Sequence, residues 1–135
     1  MDNVSPKRRS EIMRQVRSKN TSAELVVRRI VHGLGYRYRL HQKDLPGKPD
    51  LVFAGRRKVI FVHGCFWHAH ENCSRARIPG CNRPYWEAKI GRNVSRDSAQ
   101  LSALLQEGWE VMVVWECELR DGAMLEVKLR EFLDG

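Results

Sequence analysis

No run of the 135 residues stays apolar long enough to cross a bilayer, and the opening Met1-Asp2-Asn3, then Lys7-Arg8-Arg9, lacks a signal peptide's hydrophobic centre. The chain is therefore expected inside the cell. Repeats, low-complexity tracts and linker-like breaks are also missing, and 135 residues suit a single domain with one core. Acidic residues are scarce: 16 Asp and Glu face 24 Lys and Arg, a formal charge of +8. Such an excess favours a polyanionic partner, since each phosphate neutralised releases condensed counterions. Charge that only keeps a protein dispersed is the blander alternative. Cysteines number four, and in a reducing compartment Cys65, Cys73, Cys81 and Cys117 read as free thiols or metal ligands rather than disulfides.

Along the chain, Ser5-Pro6 can open a first helix. Residues 5–18 carry Lys7, Arg8, Arg9, Arg14 and Arg17 but only Ile12, Met13 and Val16 as apolar side chains. Three apolar positions give little reason to dock on a core, so the segment reads as a basic arm for a nucleic-acid backbone or as a solvated face. Met13 is a pliable apolar residue amid positive charge. Thr21-Ser22-Ala23-Glu24 opens a second helix, with Leu25, Val26, Ile30, Val31 and Leu34 at helical spacing and Gly35 as its stop. Glu24, three residues after Thr21, reads locally as the acidic half of a capping box.

Residues 36–40 alternate as an edge strand with one basic face, and Leu45-Pro46-Gly47-Lys48-Pro49 is a turn-rich connection. Apolar strands at 50–53 and 58–62, separated by a short turn, predict a hairpin that sets Asp50 near His63. Arg83-Pro84 opens a long helical pattern in which Gly91 is a point of bending or division. Residues 109–115 form a continuous apolar strand suited to the sheet centre, and a last helix spans about 122–133. This order predicts an α/β fold, one mixed sheet flanked by helices.

The chemistry concentrates at residues 59–73, VIFVHGCFWHAHENC, where an apolar strand runs into histidines, cysteines and an aromatic pair. Cys65, His70, Cys73 and Cys117 can supply three thiolates and one imidazole, a closed tetrahedral shell for a structural Zn²⁺. Cys81 is a competing ligand, and a set of unligated thiols is the plain alternative. Phosphodiester hydrolysis wants a carboxylate for a hard cation and a group that moves protons. Asp50 can hold Mg²⁺, and His63 and His68 can move protons near neutral pH, unless His63 only closes a strand-end hydrogen bond and His68 binds zinc. Adjacent Phe66 and Trp67 cannot both enter one core from an extended segment. At least one is then free to act as an apolar wedge in a base step, unless it packs inside. Lys89, Asn93 and Asp97, four apart, share a helix face that either reads base edges or is simply solvated.

These residues together resemble the very short patch repair endonucleases, the Vsr family. The likeness runs in order through the arm with Met13, Thr21-Ser22-Ala23-Glu24, Leu45-Pro46-Gly47-Lys48-Pro49-Asp50, Phe61-Val62-His63-Gly64-Cys65-Phe66-Trp67-His68, the helix segment from Lys89 to Asp97, and Val114-Trp115-Glu116-Cys117. The resemblance implies a restriction-endonuclease-like fold in one domain, residues 1–135, with residues 1–20 as a mobile basic DNA-binding arm. It implies an enzyme that nicks one strand of double-stranded DNA 5′ to the thymine of a T:G mismatch arising from 5-methylcytosine deamination. Asp50 and the backbone carbonyl of Val62 would then bind Mg²⁺, His68 with Glu24 beside it would do acid–base chemistry, and His63 would contact the scissile phosphate. Zinc falls on Cys65, His70, Cys73 and Cys117, intercalation on Met13, Phe66 and Trp67, and mismatch reading on Lys89 and Asn93. A monomer on the bacterial nucleoid, in the cytoplasm, is expected, with a mismatch-repair protein partner left open. A restriction-type enzyme cutting matched DNA on both strands and a catalytically silent, zinc-stapled DNA-binding module are the competing readings.

Overall fold

The computed structural model describes residues 21–135; the expected first helix, the basic arm at 1–20 and Met13 lie outside them. Helix α1 (Ser22–Gly33) is capped by Thr21, whose Oγ1 accepts the Glu24 N–H at 3.1 Å. Its inward face is Glu24, Val27 and Val31, whereas Leu25 is exposed. A glutamate thus sits on the apolar stripe. Beyond α1 come four strands, β1 (Arg39–Leu40), β2 (Leu51–Phe53), β3 (Lys58–His63) and β4 (Glu110–Trp115). Helix α2 (Arg83–Gln106) connects β3 to β4, and α3 (Gly122–Asp134) closes the described chain.

The sheet order is β1-β2-β3-β4, antiparallel across the first three strands and parallel between β3 and β4. Only Arg39 and Leu40 of the predicted edge strand at 36–40 pair with β2. The strand expected at the sheet centre, β4, is instead an edge strand beside β3 among the described residues. Its apolar run has another cause: Val114 packs in the layer with α3, while Val111 and Val113 pack in the layer with Leu104 of α2. Both faces are covered, so alternation disappears even at an edge.

Side chains alternate across the sheet and sort into two layers. Leu51, Phe53, Ile60 and Val114 meet Val27 and Val31 of α1 and Leu125, Leu129 and Leu133 of α3. Val52, Val59 and Phe61 meet Leu104 of α2 and Trp109. Lys58 follows the same rule: it shares the Ile60 face, is buried, and its Nζ donates to the carbonyls of Phe132 and, at 3.0 Å, Gly135, satisfying the end of α3. Among the described residues no helix is long and apolar enough to cross a membrane.

Contrary to the expected break, α2 runs unbroken through Gly91, which is exposed and has open space around the position of a Cβ. A glycine there only loses backbone entropy on folding. Gly91→Ala is expected to raise the unfolding free energy by about 0.5–1 kcal/mol, read as a higher urea midpoint at unchanged slope.

Candidate active site

Three clusters of ligand-type side chains lie at the carboxyl end of β3. The first is carboxylate-rich. The turn before β2 closes through a Lys48 N–H to Leu45 carbonyl bond of 3.0 Å, with Gly47 at φ +76° packed against the Gln100 side chain where a Cβ would clash. That turn delivers Asp50 to the sheet, and Asp50 Oδ2 accepts the Val62 N–H at 2.7 Å. Glu24 comes from α1, 1% exposed, with its carboxylate on the Arg28 guanidinium and 2.8 Å from His41 Nε2. Ligand atoms of Glu24, His41 and Asp50 all lie within 4.8 Å of one another. Burial pushes the Asp50 carboxyl up to about 7; the Val62 N–H opposes the shift and the neighbouring Glu24 carboxylate adds to it. Two acids held this close suit a divalent cation that relieves their repulsion, which is the fit expected of a Mg²⁺ site.

The second cluster is His63, His68 and Asp97. His63 and Phe61 share the α2 side of the sheet, so the His63 ring meets the loop that packs there. The His63 and His68 rings are stacked, centroids 3.8 Å apart and 7° from parallel. His68 Nδ1 donates to Asp97 Oδ2 at 2.5 Å, which leaves Nε2 as the working atom. Burial, reinforced by His68, lowers His63 to about 4, with Asp97 opposing. His63 is thus a neutral imidazole at neutral pH. Its Nδ1 is buried without a hydrogen-bond partner among the described residues. Glu24 and Asp50 of the first cluster and all three residues of the second line one open cleft of about 660 Å³, joined there by Trp67, Lys89 and Asn93.

The third cluster is Cys65, His70, Cys73 and Cys117, ligand atoms again within 4.8 Å. Tight turns after β3 build it: His68 N–H donates to Gly64 at 3.2 Å and His70 N–H to Cys65 at 3.0 Å, with Ala69 and Asn72 at positive φ. Cys117 arrives from the end of β4, its Sγ 3.5 Å from His70 Nδ1. Burial pushes the Cys65 thiol up to about 11. For Cys73 burial acts upward too, but hydrogen bonds from the Arg75 N–H and the Cys65 and Cys117 thiols outweigh it and lower the thiol. Three sulfurs and a nitrogen at this spacing fit a tetrahedral zinc shell. Cys81 is exposed and outside the set.

The remaining sequence candidates are arranged less simply. Phe66 and Trp67 are half-buried, each leaning on Trp86 of α2, at 5.5 and 6.0 Å between centroids. They sit in a turn, not an extended segment, which is how adjacent aromatics share one cluster. Asn93 is buried and engaged at both ends, donating Nδ2 to the Trp67 carbonyl at 2.8 Å and accepting from Arg96 at 2.6 Å. Lys89 is half-buried at the cleft wall. Sequence reasoning missed His41 as a site residue, and it set Asp97 on a helix face with Lys89 and Asn93 without finding its bond to His68. The β1–β2 pairing sets His41 opposite Asp50, with a 3.4 Å backbone bond between them, and Asp97 lies one turn past Asn93.

Comparison with known proteins adds the following. The family model described as DNA mismatch endonuclease Vsr matches residues 1–75. The type II nicking enzyme V.XorIIP of Xanthomonas oryzae is 54% identical over 133 residues, 98% of this chain and 97% of that one. The DNA mismatch endonuclease Vsr of Escherichia coli is 40% identical over 133 residues, 94% of this chain and 84% of that one. Among solved structures, the catalytic domain of the homing endonuclease I-Bth0305I superposes with a TM-score of 0.60 at 20% identity, covering 84% of this chain and 94% of that one. That likeness concerns the fold.

The raised carboxyl of Asp50 has a stability consequence. A folded value of about 7 against an ordinary 3.8 means that the metal-free fold is favoured by protonation, fully below about 4, and loses that contribution as pH rises through 7. Asp50→Asn removes the charge. It is expected to stabilise the metal-free protein at pH 8 by on the order of 2 kcal/mol and to have little effect at pH 4, measured by urea unfolding with chelator present.

Proposed function

The chain belongs to the Vsr family of DNA mismatch endonucleases, and from that premise we propose that it nicks one strand of duplex DNA 5′ to the thymine of a T:G mismatch left by deamination of 5-methylcytosine. The observation that carries the reading is the cleft lined together by an acid pair, buried Glu24 and half-buried Asp50, and by the stacked imidazoles of His63 and His68.

In this mechanism Asp50 and the Val62 backbone carbonyl would hold Mg²⁺, with the Glu24 carboxylate beside them supporting the acid–base chemistry of His68. Bound there, Mg²⁺ would polarise the phosphoryl oxygen and offset charge that develops on the scissile phosphate. Asp97 fixes the His68 ring, so His68 Nε2 can take a proton from the attacking water. Neutral His63 contacts the phosphate without adding charge. Arg28 and His41 keep the Glu24 carboxylate facing the cleft. Cys65, His70, Cys73 and Cys117 would hold a structural Zn²⁺ in a closed shell, fastening the loop rather than taking part in hydrolysis.

Recognition rests on the same loop. A T:G wobble pair stacks less well than a matched pair, so opening it costs less. Phe66 and Trp67 enter there as wedges, steadied from behind by Trp86 and by the Asn93 bond to the Trp67 carbonyl. Lys89 and Asn93 face the mismatch, and Met13 in the basic arm at 1–20 completes the wedge. A restriction-endonuclease-like single domain with one cleft acts as a monomer, since one hydrolytic site cuts one strand. The relatives described as nicking enzymes support that stoichiometry over cutting of both strands. The setting is bacterial chromosomal DNA in the cytoplasm, where a mismatch-repair protein is the natural partner.

The test is cleavage of strand-labelled duplexes carrying one T:G pair in varied flanking sequence, beside matched controls, with Mg²⁺ or chelator. One Mg²⁺-dependent nick 5′ to the mispaired thymine is expected. Asp50→Asn should bind the mismatch with near wild-type affinity and nick it roughly 10²–10⁴-fold more slowly. Equal cutting of matched DNA, or breaks in both strands, would contradict the proposal.

A further inference from the structure

We propose that Trp115 is a positioning residue, an aromatic clamp that ties the orientation of the catalytic imidazoles to the zinc knuckle. The inference rests on the reading above, that His63 and His68 do the chemistry and that the Cys65, His70, Cys73 and Cys117 cluster takes Zn²⁺.

The geometry starts from strand register. Trp115 is the last residue of β4 and the Cα partner of His63, the last residue of β3. In a parallel pair with matched ends, both side chains leave the sheet on the same side. There the indole lies flat on the His70 ring, centroids 4.1 Å apart and 8° from parallel. It also meets the His63 ring edge-on, at 5.3 Å and 77°. His63 in turn lies flat on His68, and His68 is anchored to Asp97. The result is an unbroken column of four rings, His70–Trp115–His63–His68, with a zinc ligand at one end and an anchoring carboxylate at the other.

What makes Trp115 more than packing is the state of His63. Its buried Nδ1 has no hydrogen-bond partner among the described residues. Protein carboxylates or carbonyls usually orient a working imidazole, as Asp97 does for His68. Aromatic contacts with Phe61, His68 and Trp115 stand in that place for His63. Phe61 belongs to the same strand and moves with it, so the indole is the contact that ties His63 to a different strand. Trp115 is itself held from both directions. Its backbone N–H donates to Glu118 Oε1 at 2.9 Å, and two residues on, Cys117 enters the zinc cluster. Loss of zinc frees His70 and Cys117 together, and with them both supports of the indole. Zinc that never touches the substrate would therefore still set the rate of the chemical step.

The experiment compares wild type with Trp115→Phe, which can still stack, and Trp115→Leu, which fills space but cannot. Zinc per chain, mismatch-duplex affinity, single-turnover nicking and the imidazole nitrogen and ring-proton NMR signals of His63 and His68 are measured on each. The clamp predicts that Trp115→Leu keeps one zinc per chain and binds DNA within about twofold of wild type. Its His63 ring signals shift and its single-turnover rate falls at least tenfold, while Trp115→Phe recovers most of both. Removing zinc from wild type should move the same His63 signals. The clamp is overturned if Trp115→Leu nicks at the wild-type rate with His63 signals displaced only by the missing indole ring current. It is also overturned if both variants lose zinc in step with nicking, because Trp115 is then only part of the fold. Should wild type nick no duplex at all, the nuclease reading fails instead, and the response of His63 to zinc removal decides the clamp alone: a shift supports it and an unmoved ring overturns it.

Discussion

Everything at the candidate site hangs on the parallel pairing of β3 with β4. Its register sets Lys58 against Glu110 at one end and His63 against Trp115 at the other. Parallel strands finish together, so two chain segments leave the sheet side by side and in the same direction. One carries Cys65, His70 and Cys73, and the other carries Cys117. A four-ligand cluster drawn from residues 52 positions apart becomes local once this ladder is in place. The helix required to connect parallel strands, α2, then covers the face onto which His63 points, and brings Asp97 and Asn93 with it.

Two kinds of donor are kept apart by a single loop. The sulfur-rich set Cys65, His70, Cys73 and Cys117 and the carboxylate pair Glu24 and Asp50 differ in donor chemistry, one soft and one hard. The carboxylate side is held under tension by burial: Glu24 occupies an apolar helix face and Asp50 stays protonated to about pH 7 without a cation. A buried carboxylate on an apolar helix face stands where packing alone calls for an apolar side chain, a mark of a working site. Arg28 and His41 limit the cost by satisfying Glu24.

Much of this is legible in the sequence. The β2–β3 hairpin, the range of α2, the four zinc-type ligands and the approach of Asp50 to the end of β3 follow from apolar runs, turn residues and ligand spacing. The position of β4 was not legible. A continuous apolar strand reports that both faces are covered, and it carries no information on how many strands flank it. His41 was missed because its role comes from a two-residue strand pairing, too short to leave a periodic trace. Local sequence reads Glu24 as a cap because Thr21 does cap α1; a second role comes only from the family resemblance, and the tertiary partners of its carboxylate give that role a physical setting. Asn93 lines the cleft as its helix face implies, and both ends of its amide are also used within the fold, which spacing along a helix cannot disclose.

The central claim is that one loop separates a closed zinc knuckle from a hard-cation hydrolytic cleft. Anomalous X-ray scattering from crystals of the protein on a T:G duplex, with Mn²⁺ in place of Mg²⁺ and data at both metal edges, tests it most directly. The account predicts zinc on Cys65, His70, Cys73 and Cys117 alone, and manganese on Asp50 next to the phosphate 5′ to the mispaired thymine. Manganese bound away from Asp50, or zinc in the His63, His68 and Asp97 cluster with the cysteines unligated, would contradict it.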